Sequence, residues 1–318
     1  MSDRYLVTGG AGFIGSNLVE RLVENGEKVR VIDNLSTGKI ENLEPFMDRI
    51  EFINGDIRYL NTVMEAMKDV DYVLHQAALP SVPRSVETPL ESNDVNTNGT
   101  LNLLYAAKEA GVRRFVMAAS SSAYGESPTL PKVETMPTSP LSPYAVNKLA
   151  GENYCRAFHN VYGLETFALR YFNIYGRRQD PNSFYSAVIP KFVKALLQDQ
   201  PPTIFGDGET SRDFTYIDNV IEANLLACKA PSENTGRVMN IACGERITLN
   251  ELAVELSRLL GKDIKATHGP ERPGDIKHSL ADISLARELI GYEGKYKISE
   301  GLPKTVQWFV ENKSVLGL

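Results

Sequence analysis

Long apolar runs are missing from this sequence of 318 residues. No stretch reaches the roughly 18 apolar residues that a membrane-spanning helix needs. The opening MSDRYLVTGG carries a charge at Arg4 and enters a glycine-rich turn at once, which leaves no apolar signal-peptide core. Cysteine is scarce. Cys155, Cys228 and Cys243 are odd in number and widely spaced, a pattern that fits neither a disulfide framework nor a zinc site. The histidines, His75, His159, His268 and His278, form no HExxH or similar cluster. A cytosolic, metal-free protein is expected. Basic runs are short as well: none exceeds two residues, and the net charge is -6, which speaks against nucleic acid or a membrane surface as partner.

What is present is the makeup of a large folded chain. A hydrophobic content of 42% with 23% charged residues excludes disorder and collagen-like structure. The length suits one large nucleotide-binding domain and a smaller lobe. Residues 5–8 form a short apolar run that feeds into Gly9-Gly10, and Phe13, Ile14, Leu18, Val19, Leu22 and Val23 then recur at helical spacing. Gly26 ends that helix, and 28–33 reads as the second strand. Further strands are predicted at 50–54, 71–75 and 114–120, separated by helices at 60–68 and 93–110. Branched, nearly continuous apolar runs alternating with helices predict a doubly wound, Rossmann-type parallel sheet of the α/β class.

Five prolines in 127–143 rule out an interior helix or strand there and predict a structured loop. A helix at 144–162, a strand at 166–173 and a helix at 184–199 follow. Beyond Pro201-Pro202 the pattern is less regular, with short strands at 214–216 and 238–241 and helices at 218–229, 249–260, 283–290 and 300–312. Residues 1–176 are expected to be mainly the nucleotide-binding, Rossmann-type domain. Residues 177–318 are expected to be mainly a smaller α/β substrate-binding lobe, with segments returning to the large domain. No internal repeat or low-complexity tract interrupts the chain.

Gly9, Gly12 and Gly15 stand between a strand and a helix. The first glycine permits a tight turn, the second lets pyrophosphate approach the backbone, and the third allows close helix–sheet packing. The helix start then offers unpaired N–H groups to phosphate. Asp33 ends the second strand, where a carboxylate can bind the adenosine ribose hydroxyls. It would repel a 2′-phosphate, so NAD is favoured over NADP; a plain turn residue before Asn34 is the other reading. Asp56, after the third strand, is a similar candidate for the adenine amine. Tyr144 and Lys148, four residues apart on a helix, share one face. The ammonium can bind the nicotinamide ribose and lower the phenol's pKa, so that a tyrosinate removes a proton from an alcohol. Ser120, Ser121 and Ser122 end the fifth strand, where ligands of parallel sheets collect. They read either as proton-relay hydroxyls or as a serine-rich turn.

The stretches TGGAGFIG (8–15), VIDNLSTG (31–38), GDI (55–57), HQAA (75–78), DVNTNGTLNLL (94–104), SSSAYG (120–125), SPYAVNK (142–148) and ALRYFNIYG (168–176) carry a resemblance, as do GDGETSRDFTYIDNV (206–220) and RPGD (272–275). The sequence resembles the extended short-chain dehydrogenase/reductase family, in its nucleotide-sugar epimerase branch, over nearly its whole length. The resemblance implies that Phe13, Ile14, Asp33, Asn34, Ser36, Thr37, Gly38, Asp56, Ile57, Gln76 and Ala77 surround NAD. It gives Ser120 the place of the family's catalytic Ser/Thr, with Tyr144 and Lys148, and sets Ser122 near the hexose.

For the substrate, the resemblance implies that Arg212 and Arg272 bind a diphosphate, in keeping with bidentate guanidinium–phosphate geometry. Asp275 would hold the uridine ribose, and Asn173 the phosphate or sugar. Dehydratases of the family resemble one another in carrying Thr-Asp-Glu where this chain has Ser120-Ser121-Ser122, so water loss is disfavoured and C4 epimerisation of a UDP-sugar remains. Ser279 stands where strict UDP-glucose epimerases have a tyrosine. Its small side chain favours UDP-N-acetylglucosamine and UDP-N-acetylgalactosamine. UDP-glucose/UDP-galactose and UDP-N-acetylglucosaminuronate are the alternatives. Ser81 and Arg84 would line the hexose pocket, and Arg84 keeps the uronate open. A homodimer through the helices at 94–110 and 144–162 is also implied.

Overall fold

Seven parallel strands form the central sheet of the computed structural model, which describes residues 2–183, 187–271 and 277–318. The chain begins with β1 (Arg4–Thr8), α1 (Phe13–Glu24), β2 (Lys28–Asp33), β3 (Ile50–Asn54), α2 (Leu60–Ala66) and β4 (Tyr72–His75). It continues through α3 (Val82–Glu87), α4 (Pro89–Asn93), α5 (Gly99–Glu109), β5 (Arg114–Ser120), α6 (Pro143–Tyr162) and β6 (Glu165–Tyr171). After β7 (Ile174–Tyr175), α7 (Val188–Leu197), β8 (Thr203–Phe205), β9 (Ser211–Arg212), β10 (Thr215–Tyr216) and α8 (Ile217–Lys229), strand β11 (Arg237–Ile241) re-enters the sheet. The strand order is β11-β6-β5-β4-β1-β2-β3. Its direction of winding reverses between β1 and β4, the crevice where doubly wound sheets bind ligands.

Both faces of the sheet are covered, and the alternation along β1 shows how. Tyr5 and Val7 join the apolar cluster that contains α1 and α8 side chains, while Leu6 joins the cluster containing those of α2, α5 and α6. All three are buried, so the run is apolar throughout rather than alternating, as expected for a strand buried on both faces.

The last part of the chain adds short strand pairs. Antiparallel β9·β12 (Ile247–Thr248) leads into α9 (Leu249–Leu259), and β8 pairs with β13 (Thr267–Gly269), β7 with β10. Helices α10 (Ser284–Ile290), α11 (Ile298–Glu311) and α12 (Lys313–Leu316) close the fold. Thr248 and Glu251 form a reciprocal capping box at the start of α9, satisfying amide groups the helix leaves open.

Several elements differ from the sequence expectation, among them α4, β8 and β13, which it left unassigned. The helix predicted over 93–110 is α5 preceded by a π-helical turn, Asp94–Asn98. The proline-bearing Val82–Glu87 segment, assigned no element from sequence, is helical because Pro83 falls in the first turn, where no intrahelical N–H is lost, and Ser81 caps it through Arg84 N at 3.2 Å. The start of the helix predicted at 184–199 falls on residues outside those described; α7 accounts for Val188–Leu197.

Candidate active site

The β1–α1 turn is built so that no side chain fits in it. Gly9 has φ of 67°, and a Cβ there would lie 2.7 Å from the Ala77 backbone. A Cβ on Gly15 would lie 2.1 Å from the Gly9 carbonyl oxygen, so α1 can start against the turn only with glycine at this position. These glycines border a cavity of about 510 Å³ that runs along the carboxyl ends of β1, β2, β4 and β5.

Asp33 is buried at the end of β2. Its carboxylate accepts from Ala11 N at 2.9 Å and Leu35 N at 2.8 Å, which leaves lone pairs for ribose hydroxyls. Burial raises its pKa and those two amides oppose the rise. Arg30 does not help to accept a 2′-phosphate: it is committed to the carbonyls of Ala66 (2.9 Å) and Lys68 (2.6 Å) and to Glu51 at 2.8 Å. Asp56 is held by Arg58 at 2.7 Å and by Asn34 at 2.8 Å, and Arg58 pulls its carboxyl down to about 2. Gln76 is oriented by Tyr171 and Asn224, at 3.3 and 3.2 Å.

All the residues expected around the dinucleotide line this one cavity: Gly9, Gly12, Phe13, Ile14, Gly15, Asp33, Asn34, Ser36, Thr37, Gly38, Asp56, Ile57, Gln76 and Ala77. The glycine cradle, the carboxylate on β2 and the commitment of Arg30 elsewhere together fit NAD.

Ser120, Tyr144 and Lys148 line the same cavity. Helix α6 presents the pair because Ser142 caps its start through Ala145 N at 3.2 Å and Pro143 opens its first turn. Lys148 is buried, donates to Ala118 O at 2.9 Å and lies 6.0 Å from the Tyr144 ring centre. Loss of hydration lowers its pKa to about 8, with Glu152 opposing. Burial raises the Tyr144 phenol, and the Ser120 hydroxyl pulls it back. Ser122 donates to Ser120 Oγ at 2.8 Å but borders neither this cavity nor the one beside it.

Beneath the site, His75 is locked in one tautomer. Ala77 N donates to Thr8 Oγ1 (3.1 Å), so the Thr8 hydroxyl proton is free for His75 Nδ1 at 2.8 Å. Thr100 spends its proton on Asn96 O, so its oxygen accepts from His75 Nε2 at 2.8 Å. Burial, followed by the Lys148 charge, lowers the imidazole pKa to about 3. His75 is therefore a neutral structural group, not a proton carrier.

A second cavity of about 300 Å³ adjoins the first; Asn173, Ile174, Gln179 and Ala187 line both. Arg212 lines the second cavity, together with Phe205, Thr210 and Phe214, none of which sequence reasoning singled out. Asn173 donates to Asp213 O at 2.9 Å and Ser279 Oγ at 3.1 Å. Ser279 itself borders neither cavity. Ser81 and Arg84 line the first, where Arg84 lies 3.6 Å from Glu91. Arg272 and Asp275 lie outside the described residues.

Sequence reasoning also missed Lys39 and Asp180, which both line the first cavity and pair at 3.1 Å. Among the described residues no group of three His, Cys, Asp or Glu is placed to hold a metal ion, and no helix is long and apolar enough to cross a membrane.

Comparison with known proteins agrees with this geometry. Residues 5–242 match the model of the NAD dependent epimerase/dehydratase family. The chain is 39% identical to the UDP-glucose 4-epimerase of Mycolicibacterium smegmatis, covering 98% of this chain and 99% of that one. It also resembles the UDP-N-acetylglucosamine 4-epimerase of Methanobrevibacter ruminantium solved with UDP-N-acetylmuramic acid. That likeness has a TM-score of 0.91 and 43% identity over 98% of this chain and 100% of the other. The Thermus thermophilus UDP-glucose 4-epimerase solved with NAD superposes with a TM-score of 0.87 at 38% identity, over 96% and 99% of the two chains. The chain is an NAD-dependent enzyme that belongs to the NAD dependent epimerase/dehydratase family.

Proposed function

We propose that this enzyme interconverts the C4 epimers of a UDP-hexose through a 4-keto sugar, with UDP-glucose and UDP-galactose as its principal pair. The observation that carries the reading is the junction of two cavities at Asn173, one holding Tyr144 and Lys148 and the other Arg212. A dinucleotide in the first and the substrate nucleotide in the second leave the hexose between them, on the Tyr144 side. The Mycolicibacterium and Thermus relatives, both UDP-glucose 4-epimerases, support this pair over the acetylated sugars that the sequence put first.

In the proposed reaction Tyr144, ionised, accepts the proton of the C4 hydroxyl, and Ser120 bridges phenol and sugar. Lys148 holds the nicotinamide ribose and stabilises the phenolate through its charge. Bound NAD would supply the hydride chemistry at C4, held by the glycine turn, Asp33 and Lys148. Arg212 and Asn173, with Arg272 and Asp275, grip the nucleotide while the keto sugar turns over. Tyr144 then returns its proton to the oxygen. Oxidation and reduction cancel, so the cofactor can stay bound throughout, beside the Lys39–Asp180 pair that lines its cavity. Ser121 and Ser122 offer no carboxylate for dehydration.

A second reading, the UDP-N-acetylhexosamines, is supported by the small Ser279 beside Asn173 and by the Methanobrevibacter relative. The uronate draws less support, because Glu91 faces the Arg84 charge. The expected homodimer is supported by apolar side chains left exposed on α5 and α6: Tyr105, Val146, Val161 and Tyr162. Separate incubation with UDP-glucose, UDP-N-acetylglucosamine and UDP-N-acetylglucosaminuronate, with the C4 epimers resolved, tests the substrate. The highest kcat/KM is expected with UDP-glucose. No epimerisation of any of the three would overturn the reading.

A further inference from the structure

Asp213 belongs to none of the roles given above, yet three other segments converge on it, and Asn173, Arg212 and Phe214 beside it line the second cavity. It is fully buried between Arg212 and Phe214. Its carboxylate accepts three backbone amides from two other segments: Cys243 N at 3.0 Å and Gly244 N at 3.2 Å, just beyond β11, and Ala281 N at 3.2 Å. Its own N–H donates to Ser279 Oγ at 3.2 Å, and its carbonyl accepts from Asn173 Nδ2. The strip after residue 276 is tied to the same strand through Ser279 N to Ser211 O (3.0 Å) and Ser211 N to Lys277 O (2.9 Å). Arg212 adds bonds to Ser211 O and Lys277 O, at 3.0 and 3.2 Å.

Only an ionised carboxylate suits this junction. Its two oxygens accept without donating, so they satisfy three converging N–H groups that no other side chain of this size can take. An asparagine would accept on one oxygen and turn its NH₂ against an amide that also donates. Burial pushes the Asp213 carboxyl up to about 6, with Glu245 adding to the rise and the three amides opposing it. A core site that needed only to be filled would be served better by an apolar residue.

We propose that Asp213 is a positioning residue for substrate: it fixes Arg212, Asn173 and the 277–281 strip in the geometry that grips the nucleotide diphosphate. This rests on the UDP-hexose reading. Asp213 borders neither cavity and acts through the residues it holds, so it should govern affinity rather than the chemical step.

The test is Asp213→Asn in the NAD-loaded enzyme, read by calorimetric binding of UDP and by the kinetics of UDP-glucose epimerisation. UDP affinity is expected to fall about tenfold and KM to rise in parallel, with kcat changed less than about threefold. A merely structural role would lower the folded fraction, and so the apparent kcat, without changing KM. UDP binding as tight in D213N as in the wild type would overturn the proposal and leave the UDP-hexose reading intact. A wild type that binds no UDP would overturn that reading and this inference with it. If D213N does not fold, hydrogen exchange in the wild type decides. Coupling is reciprocal, so bound UDP should slow exchange at the amides of Cys243, Gly244 and Ala281. Unchanged exchange there would overturn the proposal.

Discussion

Ser122 donates its hydroxyl proton to Ser120 Oγ across 2.8 Å, and only Ser120 of the two borders the cavity that holds Tyr144. The relationship orders two hydroxyls that the run of three serines does not by itself distinguish. Ser120 receives a hydrogen bond from behind, so its own proton is free to point toward Tyr144 and the sugar. Ser120→Ala is expected to lower kcat by about 100-fold, within the usual range for a lost proton relay. Ser122→Ala should cost less than about fivefold. Steady-state turnover of UDP-glucose by both variants checks this, and the reverse order would assign the relay to Ser122.

Tyr144→Phe removes one oxygen and keeps the ring in the first turn of α6. Thermal unfolding should shift by no more than a few degrees, while kcat falls by about 1,000-fold or more. The two measurements must separate in this way. Near-normal turnover would end the proton-transfer role.

Lys148 gives the pH dependence. Burial lowers its pKa to about 8, so its ammonium is complete below that pH and is lost as pH rises through it. The Tyr144 phenolate that the charge supports becomes harder to form over the same range. The kcat/KM profile should therefore carry an alkaline limb near pH 8, with activity falling above it. Lys148→Met should reduce kcat/KM by about 100-fold, on the order of the 2–3 kcal/mol that a unit charge at this separation supplies at an effective dielectric of about 20. The remaining activity should lack that limb; a limb that survives in the variant belongs to another group.

The cofactor half of the site was legible because its determinants are local. The glycines, Asp33, Tyr144 and Lys148 each sit on a strand end or helix turn whose period can be read from neighbouring residues. The seven-stranded sheet follows from apolar runs of the same kind. The substrate half was less legible. Asn173, Arg212 and Ser279 could be named only through family resemblance, because they meet across segments distant in the chain. Asp213 gave no signal, since an aspartate in a short irregular stretch looks like a turn residue until the amides of Cys243, Gly244 and Ala281 close around it. The Lys39–Asp180 pair was hidden for the same reason. Local pattern was silent at 82–87, where Pro83 stands in the first turn of a short capped helix.

Asp33 predicts cofactor choice. Its oxygens hold Ala11 N and Leu35 N, and a 2′-phosphate would add charge beside a carboxylate. Asp33→Ser should weaken NAD binding by about 10- to 100-fold and narrow the preference for NAD over NADP. It should not create a strong NADP preference, because Arg30 stays committed to Ala66, Lys68 and Glu51. Titration of apoenzyme with each dinucleotide checks both parts. Tight NADP binding by the variant would show that another cation reaches the ribose.

Ser279 predicts sugar size, and two variants are needed to isolate it. The hydroxyl accepts from Asn173 Nδ2 at 3.1 Å and from Asp213 N at 3.2 Å, so any replacement breaks those bonds. Ser279→Ala measures that loss alone and should raise KM for both sugar classes by a similar factor, about threefold. Ser279→Tyr adds a ring beside Asn173. A ring where an acetamido group must pack is costly, whereas a hydroxyl leaves room to adjust. Relative to S279A, the tyrosine variant should therefore lose at least about tenfold in kcat/KM on UDP-N-acetylglucosamine and less than about threefold on UDP-glucose. Equal losses on the two sugars would mean that position 279 acts through Asn173 and Asp213 and leaves the volume of the sugar site unchanged.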